Sequence, residues 1–173
     1  MILHIVGSIL CGLLLADFVT GLVHWWEDRL GNPAWPFIGR HVIAPNRLHH
    51  DRPMAFTETS FFQRNWTSAI ASLSLGFILA AIFGPSLLLA TAVTAGCIAN
   101  EVHYFTHKPL VAPSWIRILQ NTGFLQSPRG HARHHKAPQN SDYCSITDWL
   151  NPWLQKAGLW DRLDRLFGVA SPK

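Results

Sequence analysis

The chain has 173 residues, a net charge of +4, 49% hydrophobic residues and only 14% charged ones. Soluble domains average roughly 25% charged residues, so this composition excludes a fully water-exposed surface. Nor does the positive balance mean nucleic acid, because the basic residues are neither gathered on one polar helix nor set within a recognisable binding motif.

Three cysteines, Cys11, Cys97 and Cys144, give an odd count, no Cys-x-x-Cys pattern and no disulfide framework. Residues 2–26 are almost wholly apolar, broken by His4, Asp17 and His24. At about 1.5 Å per residue, a helix of this length crosses a hydrocarbon core of about 30 Å. No basic region precedes it, so it reads as a retained span and not as a secretory signal. Asp17, Gly21, His24 and Asp28 recur at helical spacing and line one face. An acid within a spanning helix is costly and faces a protein interior.

Residues 27–64 contain Asn32-Pro33, Trp35-Pro36, Ala44-Pro45 and Arg52-Pro53. Each proline disfavours helix just before it, which predicts loop with one short helix near 45–50. From Asn65 to Asn100 there is no charge. As one helix that run would measure about 54 Å, and Gly84-Pro85 breaks it near the middle. Two further spans are therefore predicted, 66–83 and 86–107.

The predicted fold is an all-α integral membrane protein, a single domain over 1–173 with about three transmembrane helices. All fourteen Lys and Arg residues then fall in 27–64 and 108–173, on one side. The positive-inside rule makes that side cytoplasmic, the inner face of a bacterial membrane if the source is bacterial, and Trp25, Trp26, Trp66 and Trp115 sit at the same interface. A short surface helix is expected over 115–120 and another helix beginning at Asn151-Pro152. Leu159, Trp160, Leu163, Leu166 and Phe167 oppose Asp161, Arg162, Asp164 and Arg165 in an amphipathic C-terminal helix. Such a helix suits the membrane surface or the protein's own cytoplasmic loops equally.

That topology collects His24, His49, His50, His103, His107, His131, His134 and His135 at one face, as a His-rich cap. Asn100, His103 and His107 share a helix face, being three and four residues apart. Neutral imidazole offers a lone pair near neutral pH; eight are too many for one metal and give about four to each of two. Imidazole suits Fe, Zn, Cu or Ni alike. Asp17, Asp28, Glu101 and Asp142 are candidates to orient the imidazoles from behind, and Asp28 stands out by lying four residues past His24. Asn100 joins them by sharing the face of His103.

The motifs Asp17-Phe18-Val19-Thr20-Gly21-Leu22-Val23-His24-Trp25 with Asp28, and Leu48-His49-His50-Asp51-Arg52-Pro53, carry a resemblance. It continues through Asn100-Glu101-Val102-His103-x-x-x-His107, Leu119-Gln120-x-x-Gly123, Gly130-His131-x-x-His134-His135-x-x-Pro138, Tyr143-Cys144 and Trp149-Leu150-Asn151. The whole set resembles the lipid desaturase family, which includes plasmanylethanolamine desaturase, plastid fatty-acid desaturase 4 and bacterial relatives. The resemblance implies a membrane oxidoreductase with a di-iron centre held by the eight histidines and supported by Asp28. It implies O₂ as co-substrate, electrons from an external carrier of cytochrome b5 or ferredoxin type, and a double bond placed in an acyl or ether-linked alkyl chain of a phospholipid.

Three rivals remain open. The same centre can hydroxylate a lipid; His pairs can bind haem in a membrane electron-transfer protein; a zinc hydrolase would need the absent H-E-x-x-H pattern.

Overall fold

The computed structural model describes residues 1–169, so the last four residues of the predicted domain lie outside the described residues. Among the described residues there is helix and no strand.

Helix α1, Ile2–Arg29, runs past its predicted end, and α3, Phe61–Phe83, begins ahead of its predicted start. The early start has a local cause. Ser60 Oγ accepts from Gln63 N at 3.3 Å while Gln63 Oε1 accepts from Ser60 N at 2.9 Å, a reciprocal cap that satisfies two free donors. The helix stops at Gly84, whose φ of +82° suits only a residue without a Cβ. Both α1 and α3 are long and apolar enough to cross a membrane.

The predicted third span is interrupted. It consists of α4, Leu87–Cys97, and α5, Ala99–His107, parted at Ile98 with φ −111° and ψ 13°. Eleven residues rise about 16 Å, short of a hydrocarbon core of about 30 Å. Polar ties then hold α5 to the start of α3: Asn100 Nδ2 donates to the Arg64 carbonyl at 2.7 Å and Arg64 pairs with Glu101 at 2.8 Å. Helix α4 packs against both α1 and α3. Small residues make this possible; Ala16, Ala92, Ala95 and Ala99 form one buried cluster with Ile146, letting helix backbones approach closely.

The segment predicted as mostly loop is more helical than expected. A π-helical turn at Gly39–Ile43 leads directly into α2, Ala44–Asp51, and a 3-10 turn follows at Ala55–Glu58. Pro45 sits in the first turn of α2, where its missing N–H is no loss. Further on come α6, Ser114–Asn121, α7, Pro128–His134, α8, Asn151–Lys156, and α9, Leu159–Leu166.

The face of α1 carrying Asp17, Gly21 and His24 is occupied by the non-helical segment 143–147. Asp17 Oδ1 accepts from Ile146 N at 2.8 Å and Thr147 N at 3.1 Å, and Oδ2 accepts from Thr147 Oγ1 at 2.6 Å. One turn on, Gly21 leaves room for Cys144, whose Sγ would stand 2.7 Å from any Cβ there. Another turn on, His24 Nδ1 faces the Tyr143 carbonyl at 3.1 Å. Asp17→Ala is therefore expected to strand two buried N–H groups and a hydroxyl, each costing about 1–3 kcal/mol. A clear drop in the melting midpoint of the detergent-solubilised protein checks this; an unchanged midpoint would show the anchor to be dispensable.

Helix α9 packs the first part of its apolar face inward, while Leu166 and Phe167 stay exposed. Trp160 joins Trp25, Tyr143 and Cys144 in a second core, with Leu159 and Leu163 against it. Asp164, predicted on the polar face, is buried instead. It accepts from Trp25 Nε1 at 2.9 Å and from Arg29 Nη2 at 2.9 Å.

Candidate metal centre

Four helices bring the histidines together. His24 is near the end of α1, His49 and His50 end α2, His103 and His107 lie one turn apart on α5, and His131 and His134 lie on α7 with His135 just after it. Ser127 Oγ caps α7 by accepting from Gly130 N at 3.0 Å. Gly130 is needed there, since a Cβ would run into the Asp148 carboxylate.

Two groups result. In the first, His49, His103, His107, His131 and His135 present ring nitrogens that all lie within 4.8 Å of one another. His103 Nε2 stands 2.9 Å from His49 Nε2 and 3.2 Å from His107 Nε2; His135 Nε2 stands 3.0 Å from His49 Nε2 and 2.8 Å from His131 Nε2. In the second, His24, Asp28, His50 and His134 converge under the same limit. Asp28 Oδ1 is 3.1 Å from His50 Nε2, and Oδ2 is 3.4 Å from His134 Nε2 and 3.7 Å from His24 Nε2. The division is five imidazoles and three imidazoles with a carboxylate, where the sequence suggested four and four. Each adjacent pair, His49-His50 and His134-His135, contributes one ring to each group.

The groups adjoin. The rings of His50 and His135 are 5.2 Å apart between centroids, and those of His24 and His103 are 6.5 Å apart.

This donor set fits cations. The Tyr143 carbonyl accepts from His24 Nδ1, and the Ser141 carbonyl lies 2.8 Å from His134 Nδ1. A carbonyl can only accept, so each of these rings carries its proton on Nδ1 and turns the Nε2 lone pair inward. Buried His24 Nε2 and Asp28 Oδ2 have no hydrogen-bond partner. In the first group the ring nitrogens crowd together with too few protons to pair them, and lone pairs facing lone pairs repel unless a cation lies between. Burial, aided by neighbouring imidazoles, pushes His49 down to about 2, His135 down to about 3 and His131 well below its ordinary value. All three are neutral at pH 7, the form that binds metal. Five ring nitrogens this close leave no plane open for a haem macrocycle.

The other polar residues singled out by the sequence go elsewhere. Asp17 holds the 146–147 backbone, Asn100 holds the Arg64 carbonyl, and Glu101 pairs with Arg64, whose guanidinium also stacks 4.0 Å above the Tyr104 ring. Asp142 accepts from Arg133 Nη2 at 2.9 Å. Asp28 sits inside a group and not behind it. Asn46 was missed by sequence reasoning: its Nδ2 donates to Asp28 Oδ1 at 2.5 Å. The signal was its position four residues before His50, on the same helix face.

With this geometry, the comparison with known proteins is decisive. A family model described as the lipid desaturase domain matches residues 13–171. The chain belongs to the lipid desaturase domain family. Among relatives, a protein of Acanthamoeba polyphaga mimivirus named "probable fatty acid desaturase" is 36% identical over 91% of this chain and 79% of its own length. Plasmanylethanolamine desaturase 1 of Mus musculus is 31% identical over 94% of this chain, and plasmanylethanolamine desaturase of Myxococcus xanthus 29% over 96%. The chain spans 64% and 62% of those two relatives, less than two thirds of their length. No solved structure matches it. Within the lipid desaturase family context, the apolar helices α1 and α3 point to membrane association, and the two histidine groups suit a metal site.

Proposed function

We propose that this chain is an integral membrane lipid desaturase whose eight histidines and Asp28 hold two iron ions. The observation that carries the proposal is the pair of adjoining groups, one with five ring nitrogens crowded within 4.8 Å and the other with buried His24 Nε2 and Asp28 Oδ2 left without a partner, in a chain of the lipid desaturase family. The chain crosses the bilayer at α1, α3 and the interrupted α4–α5 unit, with the histidine cap on the cytoplasmic face.

The substrate is a phospholipid, and the bond desaturated lies in an acyl or ether-linked alkyl chain. The balance is fixed by chemistry: –CH₂–CH₂– loses two hydrogens to become –CH=CH–, and O₂ with two electrons from an external carrier and two protons becomes two waters. Bound iron supplies the oxidant that an unactivated C–H bond requires.

The residues of the chain do the rest. The Tyr143 and Ser141 carbonyls fix the tautomers of His24 and His134. Asn46 holds Asp28 in place, and among the described residues Asp28 brings the only carboxylate to either group. In the first group His49, His103 and His131 are buried, while His107 and His135 are half-buried and form its more open side.

The experiment is lipid analysis of cells lacking and regaining the protein. Expected is a new double bond in phospholipid chains on complementation. A hydroxylated chain with no new double bond would replace desaturation by hydroxylation.

A further inference from the structure

Two aromatic side chains besides histidine touch the eight imidazoles among the described ring contacts. Phe56 lies against the first group, with centroids 4.8 Å from His103 and 5.3 Å from His49. Tyr143 lies against the second, 5.1 Å from His134 and 5.6 Å from His24. A phenol gives up an electron far more readily than a benzene ring. Of the two groups, the second therefore has the oxidisable neighbour.

Tyr143 leads on to further oxidisable rings. It is fully buried and meets Trp160 edge-on at 4.9 Å, a direct aromatic contact. Trp25 completes the same buried cluster, and Trp26 packs against it. Trp26 then stacks on Trp35 at 5.6 Å with planes 26° apart, and Trp35 is 38% exposed. Leucine would fill such a core equally well; indoles add electrons that can be removed one at a time.

Trp25 is placed to release a proton together with an electron. Its Nε1 donates to Asp164 Oδ1 at 2.9 Å, and both residues are buried. An indole that loses an electron becomes strongly acidic at that nitrogen, and the Asp164 carboxylate is there to take the proton. Arg29, 2.9 Å from Asp164, holds the carboxylate in place. The Tyr143 hydroxyl has the Gln139 carbonyl at 3.1 Å, which accepts a hydrogen bond but does not keep a proton. Tyr143 thus passes an electron on, and Trp25 is where the loss is stored.

Resting on the desaturase reading, we infer that Tyr143, Trp160 and Trp25 form a relay that supplies electrons to the metal centre when no lipid chain is in place, and that Trp26 and Trp35 refill it from solvent. Reducing O₂ to two waters takes four electrons and four protons. The carrier gives two electrons, and the –CH₂–CH₂– unit ordinarily gives the other two with two protons. Without lipid, those two come one at a time from Trp25 through Trp160 and Tyr143, while the protons for water come from solvent. Each transfer leaves Trp25 as a neutral radical and its N–H proton on Asp164. A water-soluble one-electron reductant of the ascorbate or thiol class then gives an electron at Trp35, and Asp164 returns its proton to Trp25. The ligand histidines are spared oxidation.

To test this, the iron-loaded protein in detergent, free of lipid substrate, is reduced with dithionite, mixed with O₂ and frozen for EPR. Expected is an organic-radical signal that narrows with indole-deuterated tryptophan, is quenched by ascorbate and falls several-fold in Trp25→Phe. In Trp35→Leu, a surface change, the signal should form as in the wild type but survive ascorbate several-fold longer. After repeated cycles, peptide mapping should find several-fold more oxidised ligand histidine in Trp25→Phe than in the wild type at equal iron content.

An undiminished signal in iron-loaded Trp25→Phe overturns the relay. Equal ascorbate quenching in the wild type and Trp35→Leu also overturns it, and that readout stands if Trp25→Phe fails to fold. Radical formation on tryptophan by a wild-type protein that desaturates nothing keeps the relay and removes the reaction. Desaturation with no radical in the substrate-free mixture removes only the relay. A protein that takes up no redox metal removes both.

Discussion

His103→Ala is expected to lower desaturation by more than about 100-fold, beyond the 10–100-fold typical of losing a group that merely supports a metal ligand. Its Nε2 lies 2.9 Å from His49 and 3.2 Å from His107, near the middle of the five-imidazole group. Removing it takes a lone pair from the first metal position and leaves the second intact. Iron should therefore fall from about two per chain toward one while the protein still inserts and melts near its wild-type midpoint. Product analysis on extracted lipids, iron analysis and a melting curve on one preparation check the three parts. Substantial activity in His103→Ala would remove this residue from the centre.

Asp28→Asn should cost a similar factor, which sets Asp28 apart from a purely orienting acid. The sequence suggested that Asp28 supports the histidines from behind. Its oxygens instead stand 3.1 to 3.7 Å from His50, His134 and His24, and Oδ2 is buried without a partner. The amide keeps the shape but loses the charge, so the second group becomes three imidazoles facing a cation with no anion. Iron loss from Asp28→Asn, with partial recovery in Asp28→Glu, is the expected pattern. Full iron occupancy with only a modest loss of activity would return Asp28 to the supporting role.

Much of the site was legible in the chain because helical spacing is a strong constraint. Asp17, Gly21 and His24 do lie along one face, and Gly84-Pro85 does end α3. The histidines meet because four separate helices end near one another, as the charge pattern suggested. What spacing could not show was the partner of that face, the irregular segment 143–147, since chain without periodicity leaves no pattern to read. Nor could it show that His49 and His50 part company. Neighbours on a helix point about 100° apart, and although a short helix was expected near 45–50, spacing within it does not say which ring meets which partner. The break at Ile98 escaped because Arg64 is distant in sequence from Asn100 and Glu101, and the three meet only once α3 and α5 are side by side. Asp164 was misplaced for a like reason: a short amphipathic helix with partners on two sides buries part of its polar face, here against Trp25 and Arg29.

Metal analysis of the intact protein, purified from membranes of cells grown with iron, tests the two-group centre most directly. The account predicts about two irons per chain, no haem absorption, and a fall in both occupancies when the first and second groups are each disabled by His103→Ala and Asp28→Ala together. One zinc per chain with no iron, or a Soret band with one haem, would contradict it.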